Sequence, residues 1–290
     1  MKLETAHRRH AKIKMSLQGP SGSGKTMSSL LIAYGICKNW PKVAVIDTEY
    51  HSADLYAHLG DYMVLSLNSP FTPERYVEAI EACEKAGIEV IIIDSITHEW
   101  ENLLEYHTTL PGNTFTNWGK VTPRHNAFVQ RILNSPCHII ATVRTKQDYV
   151  LSDRNGKMVP EKVGLKSIQR DGIEYEFTLV FNLDTRNQAI ATKDRTGLFF
   201  GKAERRITIE TGNIIADWCN HGQEITQEVI RQRIGQASSI KDLLALYNQF
   251  PQHQELLKPE FEQRKKQLNP ENQSLNLINN PKTNSNGRAN

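Results

Sequence analysis

The sequence predicts an α/β fold: a mostly parallel sheet flanked by helices, with a small helical extension toward the C-terminus. Three observations predict it. Apolar runs alternate with helical patterns up to about residue 218, the rhythm of strand–helix–strand units. The run IEVIIIDS (88–95) is apolar almost throughout and β-branched at its centre, as a strand covered on both faces must be. The glycine-rich GPSGSGKT (19–26) lies between a strand pattern and a helix pattern.

The elements follow in order. KIKMSLQ (12–18) reads as the first strand, MSSLLIAYGICKNW (27–40) as the first helix and KVAVID (42–47) as the second strand. Residues 72–87 form a helix with clear punctuation: Thr72 as N-cap, Pro73 in the first turn and Gly87 just past the end. Tyr76, Ile80 and Cys83 share one of its faces, a packing stripe. After the 88–95 strand come a helix over 96–107, a Gly/Thr/Asn-rich loop, a helix over 122–134 and the strand HIIATVR (138–144). Asn155-Gly156 between two extended runs predicts a hairpin within 148–162. FTLVFNLD and QAIATKD are two further strands joined at 185–187, and a helix over 212–222 closes the core. Beyond it, Ile225, Val229, Ile230 and Ile234, then Ile240, Leu243, Leu244 and Tyr247, recur at helical spacing. From about Asn269 the chain is Asn-rich and polar, a composition that predicts disorder. The expected organisation is a core over 1–221, a helical extension over 222–268 and a polar tail over 269–290.

Composition excludes several classes. The 290 residues are 39% hydrophobic and 23% charged, with a net charge of +3, so nucleic-acid binding would need a local basic patch. No run approaches the roughly 18 apolar residues of a membrane span, and the basic start lacks an apolar signal region. Cys37, Cys83, Cys137 and Cys219 form no CxxC pair, and the ten histidines show no HExxH spacing. These features predict reduced thiols in a cytoplasm, with no metal cluster of protein ligands and no membrane partner.

GPSGSGKT fits the P-loop pattern GxxxxGK[ST]. Residues Gly19, Pro20, Ser21, Gly22, Ser23, Gly24, Lys25 and Thr26 would cradle the phosphates of ATP. Glycine allows backbone N–H groups to wrap the anion, and the next helix adds its N-terminal dipole. Lys25 would reach the β- and γ-phosphates and Thr26 would ligate Mg²⁺. Asp94, ending the buried 88–95 strand, would hold the ion through water. A water-orienting acid is also needed. VIDTE places Asp47 and Glu49 at a strand's C-terminal end, where ligands bind in open α/β sheets. By spacing alone, Glu49 is equally a solvated loop acid.

The order P-loop, VIDTE, IIIDS resembles the RecA-type ATPase core. That resemblance implies a RecA-like P-loop NTPase fold, ATP hydrolysis with Mg²⁺, and the catalytic glutamate role for Glu49. AAA+ proteins place their glutamate beside the Walker-B aspartate, and Ser95 in that position argues against that class. The strand HIIATVRTKQ falls where RecA-like proteins keep a polar sensor, with Thr142, Arg144 and Gln147 as candidates. KDRTG (193–197) resembles the KNRxG element of the DnaB and RadA branches. There the Lys and Arg reach across a subunit interface to the neighbour's γ-phosphate, so Lys193 and Arg195 carry that expectation, and with it homo-oligomerisation around ATP. The alternative is a solvated strand end.

Seven cations, Arg144, Lys146, Arg154, Lys157, Lys162, Lys166 and Arg170, fall within residues 144–170 against three acids. RecA-like proteins place DNA loops here, which implies contact with single-stranded DNA, with Tyr149 to stack on a base. A solvated basic hairpin is the alternative. With Trp118 and GIEYEFT (172–178) added, residues 10–221 resemble phage-encoded ATP-binding proteins of minimal RecA-like type, some acting in single-strand annealing recombination. A phage origin would place the protein in the host cytoplasm. The expected function is an ATPase stimulated by single-stranded DNA in recombination, annealing or replication. A helicase-like translocase shares every catalytic residue. A small-molecule P-loop kinase would need an Arg-rich lid, and an ATP-switched single-strand-binding module would need little hydrolysis. The extension is a candidate site for a single-strand-binding protein.

Overall fold

The computed structural model describes residues 11–154, 157–220, 227–249 and 253–269; side chains at 148–154, 157–163, 229, 245 and 249 lie outside this description. The chain divides into two compact units, residues 1–221 and 222–290.

The first unit opens with β1 (Lys14–Gly19), all six residues buried, and passes through the phosphate loop into α1 (Lys25–Cys37). Strand β2 (Val43–Asp47) leads to β3 (Met63–Ser66), helix α2 (Pro73–Lys85) and β4 (Val90–Asp94). Helices α3 (Thr97–Thr109) and α4 (Thr114–Asn134) precede β5 (His138–Arg154), which pairs antiparallel with β6 (Lys157–Ser167). β7 (Leu179–Leu183), β8 (Ala189–Asp194) and α5 (Ile209–Asn220) complete the unit. The sheet order is β3-β2-β4-β5-β1-β7-β8, with β6 paired to β5 beyond it. All pairings from β3 to β7 are parallel, and only β8 and β6 run antiparallel to their neighbours.

Strand alternation explains why both faces are covered. Val43, Val45, Val90, Ile92 and Ile140 join one apolar cluster with α1 and α5. Ala44, Ile46, Ile91, Ile93 and Ile139 join the other with α2 and α4, including Tyr76, Ile80 and Cys83. Two glycines set the spacing of α1 against α5: a Cβ on Gly35 or on Gly212 would lie 2.6 Å from the other's Cα.

Several predicted boundaries are corrected. The helix expected over 122–134 begins at Thr114, because the Asn113 side chain accepts the N–H of Phe115 at 2.8 Å and caps it. Pro123 lies inside that helix and removes the bond to the carbonyl four residues back. The strand expected to stop at Arg144 runs on to Arg154. The Asn155-Gly156 turn lies outside the described residues. β3 was not expected: it is a four-residue edge strand whose side chains are mostly exposed, so no buried alternation marks it.

The second unit holds α6 (Gln227–Gln236), α7 (Ile240–Gln249) and α8 (Lys258–Leu268). Ile230, Ile234, Leu243, Leu257 and Phe261 form its core. Ile240 and Leu244, expected in the apolar stripe, are 42% and 58% exposed. Ile225 and the polar tail from 270 lie outside the described residues, as does the basic stretch at 8–10. Among the described residues no helix is long and apolar enough to cross a membrane.

Candidate active site

The parallel pairings bring four strand ends to one level. Asp47 of β2 lies opposite Asp94 of β4, and Gly19 of β1 opposite Arg144 of β5. A cleft of about 680 Å³ opens there, lined by Lys25, Thr26, Glu49, Asp94 and Arg144 among others.

Its floor is the 19–26 loop. Gly22 and Gly24 have φ of +79° and +80°, the left-handed region that glycine enters without penalty. A Cβ on Gly24 would also lie 2.9 Å from Asn187 Nδ2. Lys25 Nζ donates to the carbonyls of Gly19 and Pro20, both at 2.9 Å. Burial holds its pKa below the usual lysine value, with Asp94 and Glu49 opposing. Ser23 Oγ is buried and has no hydrogen-bond partner among the described residues. A curled loop, an ammonium and an orphaned hydroxyl at one spot fit a bound phosphate chain.

Asp94 is the buried anion. It accepts Thr26 Oγ1 at 2.6 Å and Thr142 Oγ1 at 2.5 Å. Burial raises its pKa, and those two hydroxyls work against the rise. A carboxylate touching the P-loop threonine is a hard-oxygen donor set, which fits Mg²⁺. Thr26 would hold the ion directly and Asp94 through water.

Glu49 is held in place from two sides. Asp47, buried beneath it, accepts the N–H of Glu49 at 2.6 Å and that of Ala53 at 3.0 Å, so its carboxylate shapes the turn. The Glu49 carboxylate takes a two-pronged ion pair from Arg144, through Nε at 2.8 Å and through Nη2. The Glu49 and Arg144 side chains are 19% and 40% exposed. Arg144, assigned from sequence to a DNA surface, therefore sits in the nucleotide cleft. Of the other sensor candidates, Thr142 touches Asp94, while Gln147 Nε2 donates to Gly164 O at 2.6 Å, on the hairpin.

Lys193 and Arg195 do not line this cleft. Lys193 Nζ donates to Glu174 O at 3.0 Å and to Tyr175 O, and Arg195 Nη2 to Tyr175 O at 3.4 Å. The two cations thus converge on one carbonyl, away from their own P-loop. Asp194 accepts five bonds from Thr196, Gly197, Phe199 and Phe200 and shapes the turn after β8. Arg206, which sequence reasoning missed, does line the cleft; it carries no motif. Lys146, Lys166 and Arg170 line a separate groove, with Lys166 ion-paired to Asp171 at 3.0 Å. The side chains of Tyr149, Arg154, Lys157 and Lys162 lie outside the described residues.

A family model described as an AAA domain (AAA_24) matches residues 11–212, which spans the phosphate loop, Glu49, Asp94, Lys193 and Arg195. Among solved structures, a KaiC-like protein from Pyrococcus horikoshii OT3 aligns at 15% identity with a TM-score of 0.38, covering 68% of this chain and 82% of its own. No curated protein matches the chain.

Proposed function

The chain belongs to the AAA domain family and is a P-loop ATPase of RecA-like α/β fold, and from that premise we propose that it hydrolyses ATP in response to single-stranded DNA. Recombination or annealing is the process this reading fits. The observation that carries it is the Glu49–Arg144 ion pair. Arg144 is the last β5 residue paired with β1, and β5 continues from it into the basic β5–β6 hairpin. The group that orients the attacking water is thus held by a residue at the root of the proposed DNA-binding element.

In this reading the DNA-free protein holds Glu49 on Arg144. Phosphates drawn to Lys146 and Lys166 shift the hairpin and draw Arg144 off the carboxylate. Glu49 is then free to align water on the γ-phosphate and take its proton. Lys25 exchanges its loop carbonyls for phosphate oxygens. Thr26 directly and Asp94 through water would hold Mg²⁺, which would supply charge neutralisation on those oxygens. Lys193 and Arg195, outside their own cleft, serve the ATP of a neighbouring subunit, so the active form is a homo-oligomer.

The test is ATP hydrolysis with and without single-stranded DNA, for wild type and Glu49→Gln. Stimulation by DNA in the wild type and its loss in Glu49→Gln are expected. Equal wild-type rates in both conditions would remove DNA from the account.

A further inference from the structure

One concavity larger than the nucleotide cleft remains. Helices α3 and α4 and the end of β6 bound a groove of about 1100 Å³. One wall is aromatic. Trp100 and His107 lie two turns apart on α3, about 10.5 Å along its axis. Trp118 of α4 stacks with both, at 6.0 Å and 21° to Trp100 and at 4.3 Å and 24° to His107, which files its indole between them. The column is anchored behind: Trp100 meets the His125 ring edge-on at 5.3 Å, and His125 Nδ1 lies 3.2 Å from the buried Glu99 carboxylate. Phe115, three residues before Trp118 on the same helix, lines the groove and is 84% exposed.

The other wall is cationic. Lys146, Lys166 and Arg170 line it beside one acid, Asp171, which pairs with Lys166 at 3.0 Å, and Arg170 Nη1 donates to Asn126 Oδ1 at 3.2 Å. Beside them Gln169, buried, donates through Nε2 to Ile96 O at 2.9 Å, two residues past Asp94. The groove is therefore bonded to the exit of the strand that carries the Walker-B aspartate.

We propose that this groove is the track for single-stranded DNA, with an unpaired base stacked on Phe115 beside the Trp118–Trp100 wall and the backbone phosphates on Lys146, Lys166 and Arg170. The proposal rests on the reading that the protein acts on single-stranded DNA, and adds the place and the contact. Its basis is complementarity of two kinds at one site. A bare phenyl face offers a stacking surface to any base, and duplex DNA keeps those faces hidden. Cations lining the same groove match the charge of the strand.

The experiment compares binding of oligo(dT) and of an abasic strand of equal length to the full chain, in wild type and Phe115→Ala. Phe115 is exposed and packs little, so the variant folds. Wild type is expected to prefer oligo(dT), and Phe115→Ala to lose roughly tenfold on it while binding the abasic strand unchanged. Lys146→Ala is expected to weaken both ligands and lower the salt dependence by about one ion. If Phe115→Ala binds oligo(dT) as wild type does, the stacking track is overturned and the DNA reading stands. If wild type binds neither strand, the DNA reading itself falls and takes the track with it.

Discussion

The nucleotide cleft and the aromatic groove both draw on β5, and they are built oppositely. In the cleft the charged groups satisfy one another: Lys25 on loop carbonyls, Thr26 and Thr142 on Asp94, Arg144 on Glu49. In the groove an aromatic face stands bare, and the opposite wall carries Lys146, Arg170 and Lys166, the last paired with Asp171. The difference teaches what each can bind. A polar cleft of this kind suits a ligand that takes over the bonds of Lys25 and Thr26 and leaves Arg144 on Glu49, as a magnesium–triphosphate would. An open groove with a bare aromatic face would take an extended strand base by base.

The comparison can be broken first at the ATP end. Removing the guanidinium of Arg195, which lies outside its own cleft, is expected to cost roughly 10³–10⁵ in turnover if it reaches a neighbour's γ-phosphate. Steady-state hydrolysis of Arg195→Ala measures it. Mixing that variant with Glu49→Gln should recover activity, because some interfaces then pair an intact Glu49 with an intact Arg195; failure to recover would end the case for action in trans. Glu49→Gln alone is expected to lose roughly 10²–10⁴ with ATP binding retained, read by single-turnover kinetics and nucleotide titration.

A smaller effect sharpens the role of β5 as the shared element. His138 at its start is buried, its Nδ1 accepts the Ile13 N–H at 3.2 Å, and burial pushes its pKa from 6.5 down to about 3. A histidine kept neutral by the fold takes up its proton only on unfolding. Stability is therefore full above pH 6.5 and falls as pH drops toward 3, by at most about 1.4 kcal/mol per pH unit. Urea melts at pH 7 and pH 5 should show the loss, and His138→Gln should reduce it.

What the sequence disclosed follows from locality. The phosphate loop is legible because Gly19 to Thr26 build their own anion site within eight residues, and Asp94 because an unbroken apolar run ends on it. Glu49 and Arg144 are 95 residues apart and meet only through the parallel pairing of β2, β4 and β5, so Arg144 read as one of three sensor candidates and as one more cation of a basic stretch. The Trp100–Trp118 column was hidden by the reading of residues 108–121 as loop; Gly119 and Pro123 obscured a helix that Asn113 starts. Gly35 and Gly212 looked like ordinary glycines until α1 and α5 were seen to touch through them.

The central claim is that Arg144 restrains Glu49 until DNA arrives, and the direct measurement is ATP turnover of Arg144→Gln with and without single-stranded DNA. The account predicts a DNA-free rate several-fold above wild type and little further gain on adding DNA. A DNA-free rate at or below wild type, with stimulation intact, would contradict it.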